Sequence, residues 1–250
     1  MIAIVLSCDK YHPLTDHMIQ SYQEIWPSNP FVFHVPFQQY PEELKQKHGD
    51  RINLIKTPPD IKQTILCLIE DLAEEEWIYW CIDDKYLVEI DEKSANNCFD
   101  WVNKLEDAQD CGVMFCRCRK LLEDENLRSD KIRLSPNGDE YIERKNYYQF
   151  WIPQFLRVKV LRELFLEFPD TPFRAKEMDV FTGQMSNLIV KKFRQNQKMF
   201  VSKINYGRFG ESTCGGRITQ NCLESMIGRG ISIADFKTSS TSKLIGKMKY

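Results

Sequence analysis

At roughly 150 residues per domain, a chain of 250 residues makes one large domain, or a main domain with a small appendage. Its 42% apolar and 12% aromatic content fills a sizeable core and excludes disordered, collagen-like and repeat architectures. With 34 Lys and Arg against 36 Asp and Glu, the net charge of −2 excludes a bulk phosphate-binding surface, so no nucleic-acid partner is expected.

Residues 1–7 are a continuous apolar run closing in small and polar residues, the pattern of a buried parallel strand. Residues 13–25 place Leu14, Met18, Tyr22 and Ile25 on one helical face, with Pro27 beyond the end. Strands are expected at 31–35 and 51–55, the latter closed by Thr57-Pro58-Pro59. A helix follows over 61–72, on the spacing of Ile61, Ile65, Leu68, Ile69 and Leu72. The strongly apolar segment 77–82 reads as a fourth strand and stops at Asp83-Asp84. This alternation points to an α/β sandwich with parallel pairing.

The second half is less regular. A helix is expected over 92–105, a strand over 112–118, and two short extended stretches flank the turn Pro136-Asn137-Gly138-Asp139. Residues 147–152 are an aromatic strand or loop. Helices are expected over about 158–168, 182–196 and 220–228. The glycine-rich stretch 205–217, with Arg208 and Arg217, reads as a mobile lid or as a plain surface loop, and the lysine-bearing tail 237–250 as a frayed end.

The nine cysteines contain no CxxC pair. Reduced core thiols are expected, although Cys116 and Cys118 share a strand face. The four histidines are scattered and suggest no metal site. No window approaches the roughly 20 apolar residues that span a bilayer, and Met1 opens directly into a strand. The expected location is therefore the cytoplasm, with the tail lysines allowing weak attraction to the inner face of the membrane.

Acidic residues stand at two strand ends, where open α/β sheets bind ligands: Asp9 in Ser7-Cys8-Asp9-Lys10-Tyr11, and Asp83-Asp84 after Ile82. Neighbouring carboxylates past a buried strand call for compensation. Mg²⁺ or Mn²⁺ supplies it by binding one or two carboxylates together with phosphate oxygens. Capping of the next helix, or pairing with Lys85 and Lys93, is the alternative use of the same two side chains. No P-loop lysine pattern and no GxGxxG after a strand is present, against an NTPase or a dinucleotide-binding protein.

The order of the first loop and the acidic pair resembles the GT-A class of nucleotide-sugar glycosyltransferases, whose N-terminal strand ends in a nucleotide-contacting loop and whose later strand ends in an Asp-x-Asp metal motif. The aromatic stretch 147–151 and the acidic segment 173–179 extend the likeness over most of residues 1–190. Ile82 stands where the family has its first acid. The resemblance implies a GT-A-like three-layer sandwich around a mostly parallel sheet. It also implies a single domain over 1–250, with a nucleotide-binding half (1–118) and an acceptor-side half (119–250) ending in lid and tail.

Carried over residue by residue, Asp84 ligates Mn²⁺ or Mg²⁺, and Asp83 supports the cation or the ribose. Ser7, Asp9 and Tyr11 line the base and ribose pocket, and Arg217 reaches the diphosphate. Glu177, with Asp179 beside it, stands on the acceptor side, where an inverting enzyme holds its base; both also suit a helix start. The implied activity is transfer of a sugar from a UDP- or GDP-sugar to a glycan or glycolipid acceptor, in building a surface polysaccharide. The rival readings are a nucleotidyltransferase and a nucleotide-binding protein that keeps the fold without turnover.

Overall fold

The computed structural model describes residues 1–116, 128–144 (128–130 as backbone), 151–170 and 197–246. The expected helix 182–196, residues 147–150, Cys118, Glu177 and Asp179 lie outside the described residues.

β1 (Ile2–Leu6) lies in the body of a large sheet because every side chain of its run is apolar and both sheet faces are covered. It pairs in parallel with β2 (Val32–Phe37) on one side and β4 (Trp77–Ile82) on the other, and β3 (Ile52–Lys56) extends the parallel set beyond β2. After β4 come β9 (Gln154–Arg157), β6 (Asp110–Met114), β10 (Lys198–Ser202), β8 (Glu140–Arg144) and β7 (Arg128–Leu134). The order of the nine described strands is 3-2-1-4-9-6-10-8-7. Of these, only β8 and β9 run against the rest, so the sheet is mixed but mostly parallel.

Strand periodicity divides the core in two. From β4, Tyr79 and Cys81 point to one face, into a cluster with Leu14, Met18 and Tyr22 of α1 (His12–Ile25), Cys98 and Trp101 of α4 (Glu92–Val102), and Met226 of α6 (Gln220–Gly228). Ile78, Trp80 and Ile82 point to the other, against Ile65 and Leu68 of α3 (Ile61–Leu68) and Leu161 and Phe165 of α5 (Val158–Glu167). The short α2 (Glu42–His48) precedes β3. The result is the three-layer α/β sandwich expected from sequence. Among the described residues, no helix is long and apolar enough to cross a membrane.

Side-chain caps start three helices, and arginines bind carbonyls beyond the ends of two. Asp60, Asp91 and Thr219 accept the backbone N–H of Gln63, Ser94 and Cys222, and so start α3, α4 and α6. The expected helix 61–72 stops at Leu68, and beyond it the carbonyls of Ile69 and Leu72 accept from Arg162 Nη2 at 3.0 Å each. The expected helix 92–105 stops at Val102, and Leu105 O accepts from the buried Arg157 Nη2 at 2.8 Å. A guanidinium with five donors can satisfy several such carbonyls at once.

A second, smaller sheet was not read from the sequence. β5 (Lys85–Ile90) follows β4 after a two-residue turn and pairs antiparallel with β11 (Gly207–Glu211), which also pairs with β14 (Leu244–Ile245). β12 (Thr213–Cys214) and β13 (Arg217–Ile218) form a hairpin whose tip, Gly215-Gly216, has φ of 60° and 73°. Two readings are thereby corrected. Over Gly207–Glu211 the supposed lid is a strand hydrogen-bonded on both sides, because β5 and β14 supply partners far away in sequence. The tail through 246 is not frayed: besides β14, Ser239 N donates to Ile218 O at 2.8 Å.

Candidate active site

β1 and β4 end together, because their parallel register pairs Leu6 with Ile82. The residues just past both strands are therefore neighbours, and Asp83 N donates to Leu6 O at 3.2 Å. In this way the sheet brings Ser7, Asp9 and Tyr11 beside Asp83 and Asp84 at the carboxyl edge of the strands, the usual ligand position in such sheets.

Ser7 closes β1. Its hydroxyl lies 2.8 Å from Thr15 Oγ1 on α1 and also hydrogen-bonds Asp83. Asp9 opens a 3-10 turn, and its two carboxylate oxygens accept from Gln38 N and Gln39 N at 2.8 Å each. Asp9 thus ties the loop after β2 to the site. Tyr11 is half-buried and its ring stacks on Phe236 with centroids 6.2 Å apart. Burial raises the Tyr11 hydroxyl above its ordinary range, with the charges of Asp83, Cys8 and Asp84 adding to the rise. Cys8 is pushed up as well, by burial first and then by Asp83.

Asp83 is 7% exposed and, among the described residues, has no basic side chain within ion-pair distance. Burial, and next the charge of Asp84, push its carboxyl up to about 8, against the opposing pull of Ser7 and Lys85. A group perturbed in this way at a strand-end ligand position marks a functional candidate. Asp84 is more open, and its Oδ1 lies 2.7 Å from Lys85 Nζ. Its carbonyl accepts from Ser212 N at 2.7 Å, which roots the β12–β13 hairpin at the acidic pair. Lys85 is nearly buried and also lies 3.6 Å from Glu211 Oε1, and Glu211 Oε2 lies 3.1 Å from Lys243 Nζ. Carboxylate and ammonium thus alternate away from Asp84.

Arg217 is exposed on β13, on the hairpin rooted beside Asp84, whereas Arg208 is engaged with Glu89 at 3.8 Å on the neighbouring strand. A cleft of ≈ 520 Å³ near the start of α1, lined by His12, Asp16, Glu42, Lys47 and Ile231 among others, takes in none of the acidic pair. Every described cysteine is a free thiol.

Among the described residues, no three His, Cys, Asp or Glu side chains converge in a metal-binding group. The carboxylates at the end of β4 are those of Asp83 and Asp84. Two adjacent carboxylates, one buried without a counter-ion, suit Mg²⁺ or Mn²⁺ when substrate phosphate oxygens complete the shell. Sequence reasoning offered Lys85 as a partner of the acidic pair, as its ion pair with Asp84 bears out, but missed Glu211 as part of the site. The only signal was the alternation of Tyr86, Val88 and Ile90 after the acidic pair, which marks a strand but not its partner.

No family model matches the chain, and no curated protein matches it. Among solved structures, the chain is similar to a galactosyltransferase, LgtC, in complex with donor and acceptor sugar analogs, at 14% identity and a TM-score of 0.39, covering 79% of this chain and 66% of that one. It is similar to residues 1–349 of S. aureus TarS at 14% identity and 0.47, covering 82% and 59%. It is also similar to 4-diphosphocytidyl-2C-methyl-D-erythritol synthase from Anaerococcus prevotii at 9% and 0.46, covering 92% and 95%. The chain thus spans just under two thirds of the first of these proteins. Likenesses this distant bear on neither substrate nor activity.

Proposed function

We propose that the chain is a GT-A-type glycosyltransferase that moves a sugar from a UDP- or GDP-sugar to a glycan or glycolipid acceptor, with Asp83 and Asp84 holding Mn²⁺ or Mg²⁺. The observation that carries this reading is the shared end of β1 and β4, which sets the buried Asp83 against the Ser7–Tyr11 loop. Ser7 orients the Asp83 carboxyl, Asp9 holds the loop after β2 in place, and Tyr11, braced on Phe236, lines the base and ribose pocket. Asp84, the more open acid, faces the diphosphate side, and Arg217 contributes a positive charge from the neighbouring hairpin. The bound cation supplies the charge that makes the nucleoside diphosphate a better leaving group. Glu177 is proposed as the base that takes the acceptor hydroxyl proton, with Asp179 beside it.

One observation favours a second reading. Lys85 already neutralises Asp84 at 2.7 Å, as it would in a protein that binds a nucleotide without a cation and without turnover. Calorimetry with UDP and GDP, with and without Mn²⁺, separates the two. The transferase reading expects nucleotide binding that needs Mn²⁺ and is lost in Asp84→Asn. Equal binding without Mn²⁺, unaffected by that substitution, overturns it.

A further inference from the structure

We propose that Lys85 is a built-in counter-ion of Asp84 that an incoming divalent cation displaces, and that Glu211 receives the displaced ammonium. This rests on the assignment of Asp84 as a cation ligand. Lys85 Nζ lies 2.7 Å from Asp84 Oδ1 and 3.6 Å from Glu211 Oε1, so a shift of under about 1 Å turns one ion pair into the other. The side chain is 9% exposed, and an ammonium leaving Asp84 therefore needs a second carboxylate, since stranding it unpaired in a buried place is costly. The fold provides that carboxylate by register. Glu211 is the direct cross-strand partner of Lys85 on β11, and Ser212 N holds the Asp84 carbonyl, so the relative placement of the three side chains is set by backbone hydrogen bonds. Lys243 at 3.1 Å from the other Glu211 oxygen keeps that carboxylate oriented when Lys85 is on Asp84.

This arrangement has a consequence that a static salt bridge lacks. Lys85 competes with the divalent cation, whereas Glu211, which is not assigned as one of its ligands, assists it by taking Lys85 away. The two residues act as one device, so their effects must be coupled.

The test is titration of the full chain with Mn²⁺ alone, followed by the electron paramagnetic resonance signal of the free aquo ion, in wild type, Lys85→Met, Glu211→Gln and the double variant. Thermal melts check that each is folded. Lys85→Met is expected to bind Mn²⁺ about tenfold more tightly. Glu211→Gln is expected to bind several-fold more weakly in the wild-type background, and to change affinity less than about twofold when Lys85 is already Met. Equal effects of Glu211→Gln in both backgrounds mean that the two charges act independently through space, and overturn the proposal. Unchanged or weaker binding in Lys85→Met, with Asp84→Asn still abolishing it, overturns the proposal while leaving Asp84 as ligand. Should Lys85→Met fail to fold, Glu211→Gln alone decides: tighter or unchanged Mn²⁺ binding refutes the hand-over. Absence of Mn²⁺ binding in every variant, with UDP present as well as without it, overturns the metal assignment and this proposal with it.

Discussion

His17 makes the fold sensitive to mild acid. Its ring is fully buried on α1 and lies tilted at 55° against Tyr86, with centroids 4.4 Å apart. Arg229 Nη1 lies 3.4 Å from Nε2 and can only donate, so Nε2 is the acceptor and the Ser225 hydroxyl at 2.8 Å donates to it. The ring proton then sits on Nδ1, toward Cys222 Sγ at 3.8 Å. Burial, followed by the Arg229 charge, pushes the imidazole down to about 3 from an ordinary 6.5. Between those values the unfolded chain binds a proton that the folded chain refuses, so stability is complete above pH 6.5 and declines as pH falls toward 3. The slope is about 1.4 kcal/mol per pH unit well below 6.5, which integrates to about 2 kcal/mol between pH 7 and pH 5. For a chain of this length that lowers the melting temperature by about 4–8 °C. Urea denaturation of wild type and His17→Gln at both pH values isolates the contribution, since the remaining titrating groups are common to both proteins. Gln keeps an acceptor near the Nε2 position and carries no titrating group. The variant should lose about 2 kcal/mol less than wild type over this interval. Equal losses refute the assignment of His17 as the buried neutral group.

Four further outcomes are expected. At Gly210 a Cβ would overlap the Tyr86 ring, whose hydroxyl is held by Asn221 Nδ2 at 2.6 Å, so Gly210→Ala should cost about 2–3 kcal/mol in urea denaturation. Gly112→Ala meets only the flexible end of Met199 and Leu156, and should cost about 1 kcal/mol; the reverse order would contradict the packing argument. Burial is the largest single influence on Asp16 and raises its carboxyl, but hydrogen bonds from His48, Lys47 and Gln20 together hold it below the ordinary range. It therefore stabilises the fold above its unfolded value and loses that contribution as pH falls through the folded one; Asp16→Asn should cost about 1–2 kcal/mol at pH 7 and flatten the acid limb of the denaturation curve. Glu177→Gln should lower transferase turnover by at least about a hundredfold, and unchanged turnover places the base elsewhere.

Elements whose signal is local were legible in the chain itself. The apolar runs of β1 and β4, the apolar face of α1 and the turn at 136–139 all follow from spacing within a dozen residues, because a local periodicity marks the face to be buried. So was the place of the acidic pair, since a polar pair ending an apolar run marks a strand end. What tertiary structure alone decided is the company those acids keep. Gly207–Glu211 looks like loop because glycine carries no strand signal, yet Gly210 is what lets Tyr86 lie across β11. Whether Lys85 would serve Asp84 or point to solvent depended on Glu211, brought opposite it by a pairing between strands remote in sequence. Cross-strand register is a property of two segments at once, and neither segment encodes it by itself.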